Sequence, residues 1–281
     1  MSQAGSSRKS LRDMPWSLWT SQVMAVLRIE WKKSLWMRRS VWIYLLALAP
    51  VAIVGLDALL NRPRPLEEMT QVFAGIFQFY LRGTIFFACM GLFTWLFRGE
   101  VVEKSLHYYF LAPMRREVLA IGKFLAGLLA SVVIFGSSVL LSFSIMFGHL
   151  GPAGRAYVFD GPGLGHLLAY LGVTVLACVG YGSMFLALSM VFKNPILPGI
   201  VVLLWETFHA VLPSLLQKLS VMFYLKQLCP VSLPPEMALF TVVAEPVPAW
   251  IAVPGLLCLC SAILVFACLK LRRTEISYLA D

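Results

Sequence analysis

Two acidic arrangements in the sequence have spacings that could do chemistry. Glu206 and His209 stand three residues apart, so on a helix they share a face and could handle a proton. With a third ligand they could hold a metal, but no third ligand is near in sequence. The adjacent pair Glu67–Glu68 invites comparison with membrane proteases that use paired glutamates. No His-x-x-x-His, His-x-x-x-Asn or Gly-x-Ser-x-Gly pattern accompanies it. Gly122–Lys123 is not followed by Ser or Thr, and no Gly stands five residues before Gly122, so the chain has no phosphate loop. The six cysteines (Cys89, Cys178, Cys229, Cys258, Cys260 and Cys268) contain no C-x-x-C pair. They support neither a zinc site nor a disulfide framework.

The elements that must carry these residues are membrane helices. The chain has 281 residues, of which 59% are hydrophobic and 13% charged, with a mean hydropathy of +0.81. So few charges cannot cover a soluble surface of this size, and the composition excludes a disordered chain. Six runs have the length of spans: 41–60, 73–97, 124–147, 167–192, 196–217 and 249–269. Backbone polar groups in lipid must be satisfied within the segment, so these runs are helices. No secretory leader is visible, because the first apolar run begins only at Val41, after a basic stretch.

The net charge of +9 then reads as topology. With the N-terminus inside, the inner segments 1–40, 98–123, 193–195 and 270–281 hold 17 basic residues, and the outer loops hold 5. All these loops are short, so the positive-inside rule applies and both termini are cytoplasmic. The expected order is a cytoplasmic N-terminus (1–40), a six-helix membrane domain (41–269) and a basic tail (270–281). Arg82 and Glu206 fall near the midplane of the second and fifth spans. They are expected to pair or to line a shared cavity. The alternative has Arg82 snorkelling outward toward Asp57 while Glu206 is neutral or bonded to His209. Gly127, Ser131, Gly136, Gly172, Gly180 and Gly182 permit close helix approach in the third and fourth spans.

Residues 16–39 have a helical pattern, with Trp19, Val23, Leu27, Trp31 and Leu35 recurring every fourth residue. This predicts an amphipathic interfacial helix, and its tryptophans favour lipid over nucleic acid as the partner. The inner loop 98–123 is more unusual. Glu100, Glu103, Lys104 and His107 form one side of a short helix, and Leu106, Tyr109 and Phe110 another. Pro113 should end that helix near Leu111, and a second helix should restart around Arg115. Charges and aromatics exposed together, including Tyr108 and Tyr109, suit a docking surface. The outer segment 218–248 is apolar but interrupted by five prolines, which predicts short re-entrant or interfacial helices.

The inner loop resembles the first cytoplasmic loop of ABC type-2 transporter permeases. The residues that carry the resemblance are Glu100 soon after the second span, Leu111, Pro113, Arg115, and Gly122–Lys123 entering the third span. Lys104–Ser105 and His107 depart from the family's usual Gly-Thr pair and carboxylate. The resemblance implies an all-α permease with six spans and a coupling helix that inserts into a separate ATP-binding subunit. It implies ATPase-coupling roles for Glu100, Glu103, Lys104, His107, Tyr108, Tyr109, Arg115 and Arg116. It also implies short outer helices over 219–228 and 236–243, a second permease copy, related or identical, and a bacterial cytoplasmic membrane. ATP and Mg would be bound by the partner, and this chain would hold no cofactor and catalyse nothing. Arg82, Glu206 and His209 would lie on the translocation pathway. A polytopic membrane enzyme, or an ATP-independent channel or scaffold, is the competing expectation.

Overall fold

The computed structural model describes residues 16–36, 41–60, 64–102, 115–192, 194–208, 213–231 and 248–273. Every element among them is helical, and the chain is a polytopic helical membrane protein. In order, the helices are α1 (Trp16–Trp36), α2 (Val41–Leu60), α3 (Leu66–Phe79), a π-helical stretch (Tyr80–Ile85) and α4 (Phe86–Val102). They continue with α5 (Arg116–His149), α6 (Pro152–Phe159), α7 (Gly163–Val191), α8 (Ile196–Phe208), α9 (Ser214–Gln217), α10 (Val221–Leu228) and α11 (Ala249–Arg273).

Five helical segments are long and apolar enough to cross a membrane: α2, the continuous rod from α3 through α4, α5, α7 and α11. They contain five of the six runs expected from the sequence. The sixth, 196–217, is divided. α8 has 13 residues, about 20 Å, and the backbone leaves the helical region at Pro213 (φ −55°, ψ 149°) before α9 begins.

The centre of the bundle is α5 and α7. Of their most apolar windows 67% and 61% are buried, against 22% for α2 and α11. Leu45, Leu48 and Leu56 on α2, and Val265, Phe266 and Leu269 on α11, therefore stay exposed, as lipid-facing residues do. Small residues set the central contacts. Phe93 of α4 lies against both Gly127 and Gly182, where an added Cβ would stand 2.8 Å and 2.5 Å from its ring. Gly136 and Gly172 have no such close neighbour.

At the end of the bundle away from α1, the Gly/Pro-rich connection 150–162 folds as α6. Gly151 turns the chain with φ +62°, a conformation that favours glycine. Tyr157 stacks on Phe147 at 4.8 Å, and its hydroxyl bonds His166 Nδ1 at 2.6 Å. His166 thus closes a turn.

α1 departs from its expected form. It is a helix over the expected stretch, but it does not keep one apolar face for lipid. It packs along α5, and the residues turned inward are Val26 and Glu30, while Trp16, Leu18, Met24 and Ile29 are exposed. Apolar residues occur on more than one side of α1, so one face docks on protein while others stay exposed.

Candidate functional site

Four charged side chains converge where α1, α4 and α5 meet. Lys123, in the second turn of α5, is fully buried. Its ammonium donates to Glu30 Oε1 at 2.9 Å and to the Leu96 carbonyl at 2.8 Å, and lies 2.7 Å from Glu100 Oε2. Lys33 Nζ sits 3.6 Å from Glu100 Oε1. Two ammonium groups and two carboxylates balance, and Lys123 makes two hydrogen bonds beside its ion pair with Glu100. Such a cluster fixes geometry more than it adds stability, because desolvation offsets most of the Coulomb gain.

Gly122 explains how α1 comes so close. A Cβ there would meet Val26 Cγ1 at 2.8 Å and Val26 Cβ at 2.9 Å. Val26 and Glu30 are one helical turn apart on α1, so Gly122 seats the first while Lys123 holds the second. Replacing Gly122 by Leu is expected to lift α1 off α5 and lower stability by about 1–3 kcal/mol. An unchanged melting temperature with unchanged protease resistance of α1 contradicts that packing.

Burial opposes the charge on Glu30 most strongly, but Lys123, the Glu100 carboxyl and Lys33 together hold its pKa below the ordinary 4.5. A depressed carboxylate contributes stability that is present above the ordinary value and lost as pH falls through the folded one. The melting temperature of the wild type should therefore drop more steeply below about pH 4.5 than that of Glu30→Gln. Parallel pH profiles for the two proteins would show that the cluster does not set acid stability.

The same end is tied to the C-terminal helix. Arg116 Nη1 donates to the carbonyls of Leu271 and Arg272 at 3.4 Å and 3.2 Å, capping the open end of α11. The Arg115 guanidinium stands 4.8 Å from the centre of the Trp19 ring. Of the loop residues singled out by sequence, Glu100, Arg115 and Arg116 are thus engaged within the chain. α5 starts at Arg116, with Arg115 at its N-cap, where Pro113 was expected to allow a restart. Glu103, Lys104, His107, Tyr108 and Tyr109 lie outside the described residues, as do His209 and the outer helix expected over 236–243.

The second cluster is deep in the bundle. Glu206 of α8 is 1% exposed. Its carboxylate accepts the Ser220 hydroxyl at 2.8 Å, the Val221 amide at 3.0 Å and the Met222 amide at 2.8 Å. Ser220 Oγ accepts the Phe223 amide at 3.2 Å. The first three amides of α10 are therefore all satisfied, two of them by a carboxylate from another helix. α10 coincides with the short helix expected over 219–228. It is buried at Val221–Leu225, and its first residue presses on Gly180, where an added Cβ would stand 2.5 Å from Val221 Cγ1.

Glu206 is spoken for by α10 rather than by Arg82, and no Arg82–Glu206 ion pair forms among the described residues. Nor does Arg82 reach Asp57, which pairs with Arg64 at 3.3 Å. Arg82 sits in the π-helical stretch, a widening of the helix often found at functional sites, and its buried Nε has no hydrogen-bond partner.

Glu30, Lys33 and Ser220 were missed by the sequence reading. Ser220 had a signal, a serine just before an apolar run, which is the N-cap pattern. Glu30 had only its place in a helix otherwise rich in basic residues, and its partner lies 93 positions away. No group of three or more metal-ligating side chains occurs among the described residues. No family model matches the chain, and no curated protein matches it.

Proposed function

We propose that this chain is the membrane-spanning permease subunit of an ABC exporter, driven by a separate ATP-binding subunit. The observation that best supports the reading is the ionic cluster around Lys123. It joins α4 just before residues 103–114 and α5 just after them, and it clamps both to α1. A loop rooted in so rigid a base can pass a push from a docked ATPase into two bundle helices at once. Arg116 extends the same linkage to α11. In this reading the termini and this loop lie in the cytoplasm of a bacterium, ATP and Mg are held by the partner, and a second permease copy completes the pathway.

In this reading the fifth crossing is a broken one. Gly199 of α8 lies near Phe185, and Val221 of α10 lies on Gly180, so the two short helices follow one another along α7. Glu206 bridges the break. Discontinuous helices of this kind are tolerated where protein surrounds the irregular backbone.

The test is copurification from the native host. The tagged chain should bring down an ATP-binding subunit, and exchanging residues 103–109 for a Gly/Ser linker should lower its recovery at least tenfold. Equal recovery from the exchanged chain would remove the coupling assignment, and a channel or scaffold would then account better for the bundle.

A further inference from the structure

Arg82 and Lys226 are half-buried cations in the interior of the bundle. Neither makes an ion pair or hydrogen bond among the described residues, and Arg82 Nε is fully enclosed. They stand at the same depth. Arg82 lies between Phe77, whose ring is 4.6 Å from Tyr170, and Phe86, whose ring is 5.3 Å from Tyr181. Lys226 is five residues beyond Val221, which rests on Gly180, as α10 runs back along α7. Both therefore face the middle of the 170–181 stretch of α7, about 18 Å from its start at Gly163. Lys226 shares a helix face with Met222, whose Sδ is 4.0 Å from the Tyr181 hydroxyl. Glu206, the carboxylate at this depth among the described residues, already accepts hydrogen bonds from α10.

We propose that Arg82 and Lys226 form a binding site for an anionic group, a phosphate or a carboxylate, between the π-helical stretch, α7 and α10. One anion would satisfy both cations, and charge-assisted bonds in a site of low polarity are strong. A fork-shaped guanidinium beside an ammonium suits phosphate oxygens in particular. The surrounding side chains are aromatic or apolar, so the occupant is either the headgroup of an amphiphile or a small free anion. The site goes beyond the transport reading, since it is a property of the isolated chain and needs no ATPase.

The test uses the full chain in nanodiscs of neutral phosphatidylcholine, titrated with dioctanoyl phosphatidylglycerol in one arm and inorganic phosphate in the other. Binding is read by native mass spectrometry and thermal shift. Wild type should bind at least one probe. Arg82→Gln and Lys226→Gln should each weaken it tenfold or more, while Arg28→Gln on α1 should not. The responding arm tells an amphiphile headgroup from a free anion. Binding of neither probe, or binding unchanged in the folded double variant, overturns the proposal.

Discussion

Lys123→Met is expected to lower the unfolding free energy by about 3–5 kcal/mol, the usual cost of removing one member of a buried charge cluster. The substitution keeps the volume and the apolar stem of the side chain. What it removes is the ammonium that separates Glu30 from Glu100, each only 1% exposed. The two carboxylates would face each other with Lys33, at 3.6 Å from one of them, as the remaining cation. The Leu96 carbonyl would also lose its donor. Denaturation of the purified chain in detergent measures the effect. Adding Glu30→Gln and Glu100→Gln to Lys123→Met should recover at least half of the loss, because neutral amides remove the uncompensated charge. A loss under about 1 kcal/mol for Lys123→Met alone would mean that water reaches the cluster and screens it.

Glu206→Ala should cost on the order of 3 kcal/mol or more. It orphans the Val221 and Met222 amides and the Ser220 hydroxyl, and each buried donor left unsatisfied costs about 1–3 kcal/mol. The damage should be local to α10. Amide hydrogen exchange at Val221–Leu225 should rise at least tenfold, while α5 and α7 stay protected. Glu206→Gln keeps one acceptor oxygen and should fall about midway. If Glu206→Ala leaves exchange over α10 unchanged, the carboxylate does not hold this helix in place. Transport, where it can be assayed, should follow the exchange data, since α10 adjoins both Arg82 and the break between α8 and α10.

The membrane helices were legible because length and hydropathy are local quantities. Five runs needed only their own composition. The run 196–217 misled on hydropathy alone, for Pro213 interrupts it without lowering its apolar content, and the carboxylate that organises the break lies inside it. The face of α1 was misread for a related reason. Counting apolar residues finds the stripe Trp19–Val23–Leu27–Trp31, but the inward face is decided by Gly122 and Lys123, far along the chain. Arg82 and Glu206 were singled out because charges are costly in a membrane. Pairing them was the simplest way to lower that cost. It failed because two backbone amides of α10, invisible to any count of charged side chains, reach Glu206. Gly122–Lys123 drew notice as a failed phosphate-loop pattern and through the family resemblance, and the geometry supplies a physical reason for both residues.

If a partner ATPase drives this bundle through residues 98–123, ATPase activity should copurify with the tagged chain. The wild-type preparation should hydrolyse ATP, and the chain with residues 103–109 exchanged for Gly/Ser should retain a tenth of that activity or less at equal yield and equal melting temperature. Hydrolysis that survives the exchange, or a wild-type preparation from its native host without ATPase activity, would contradict the account.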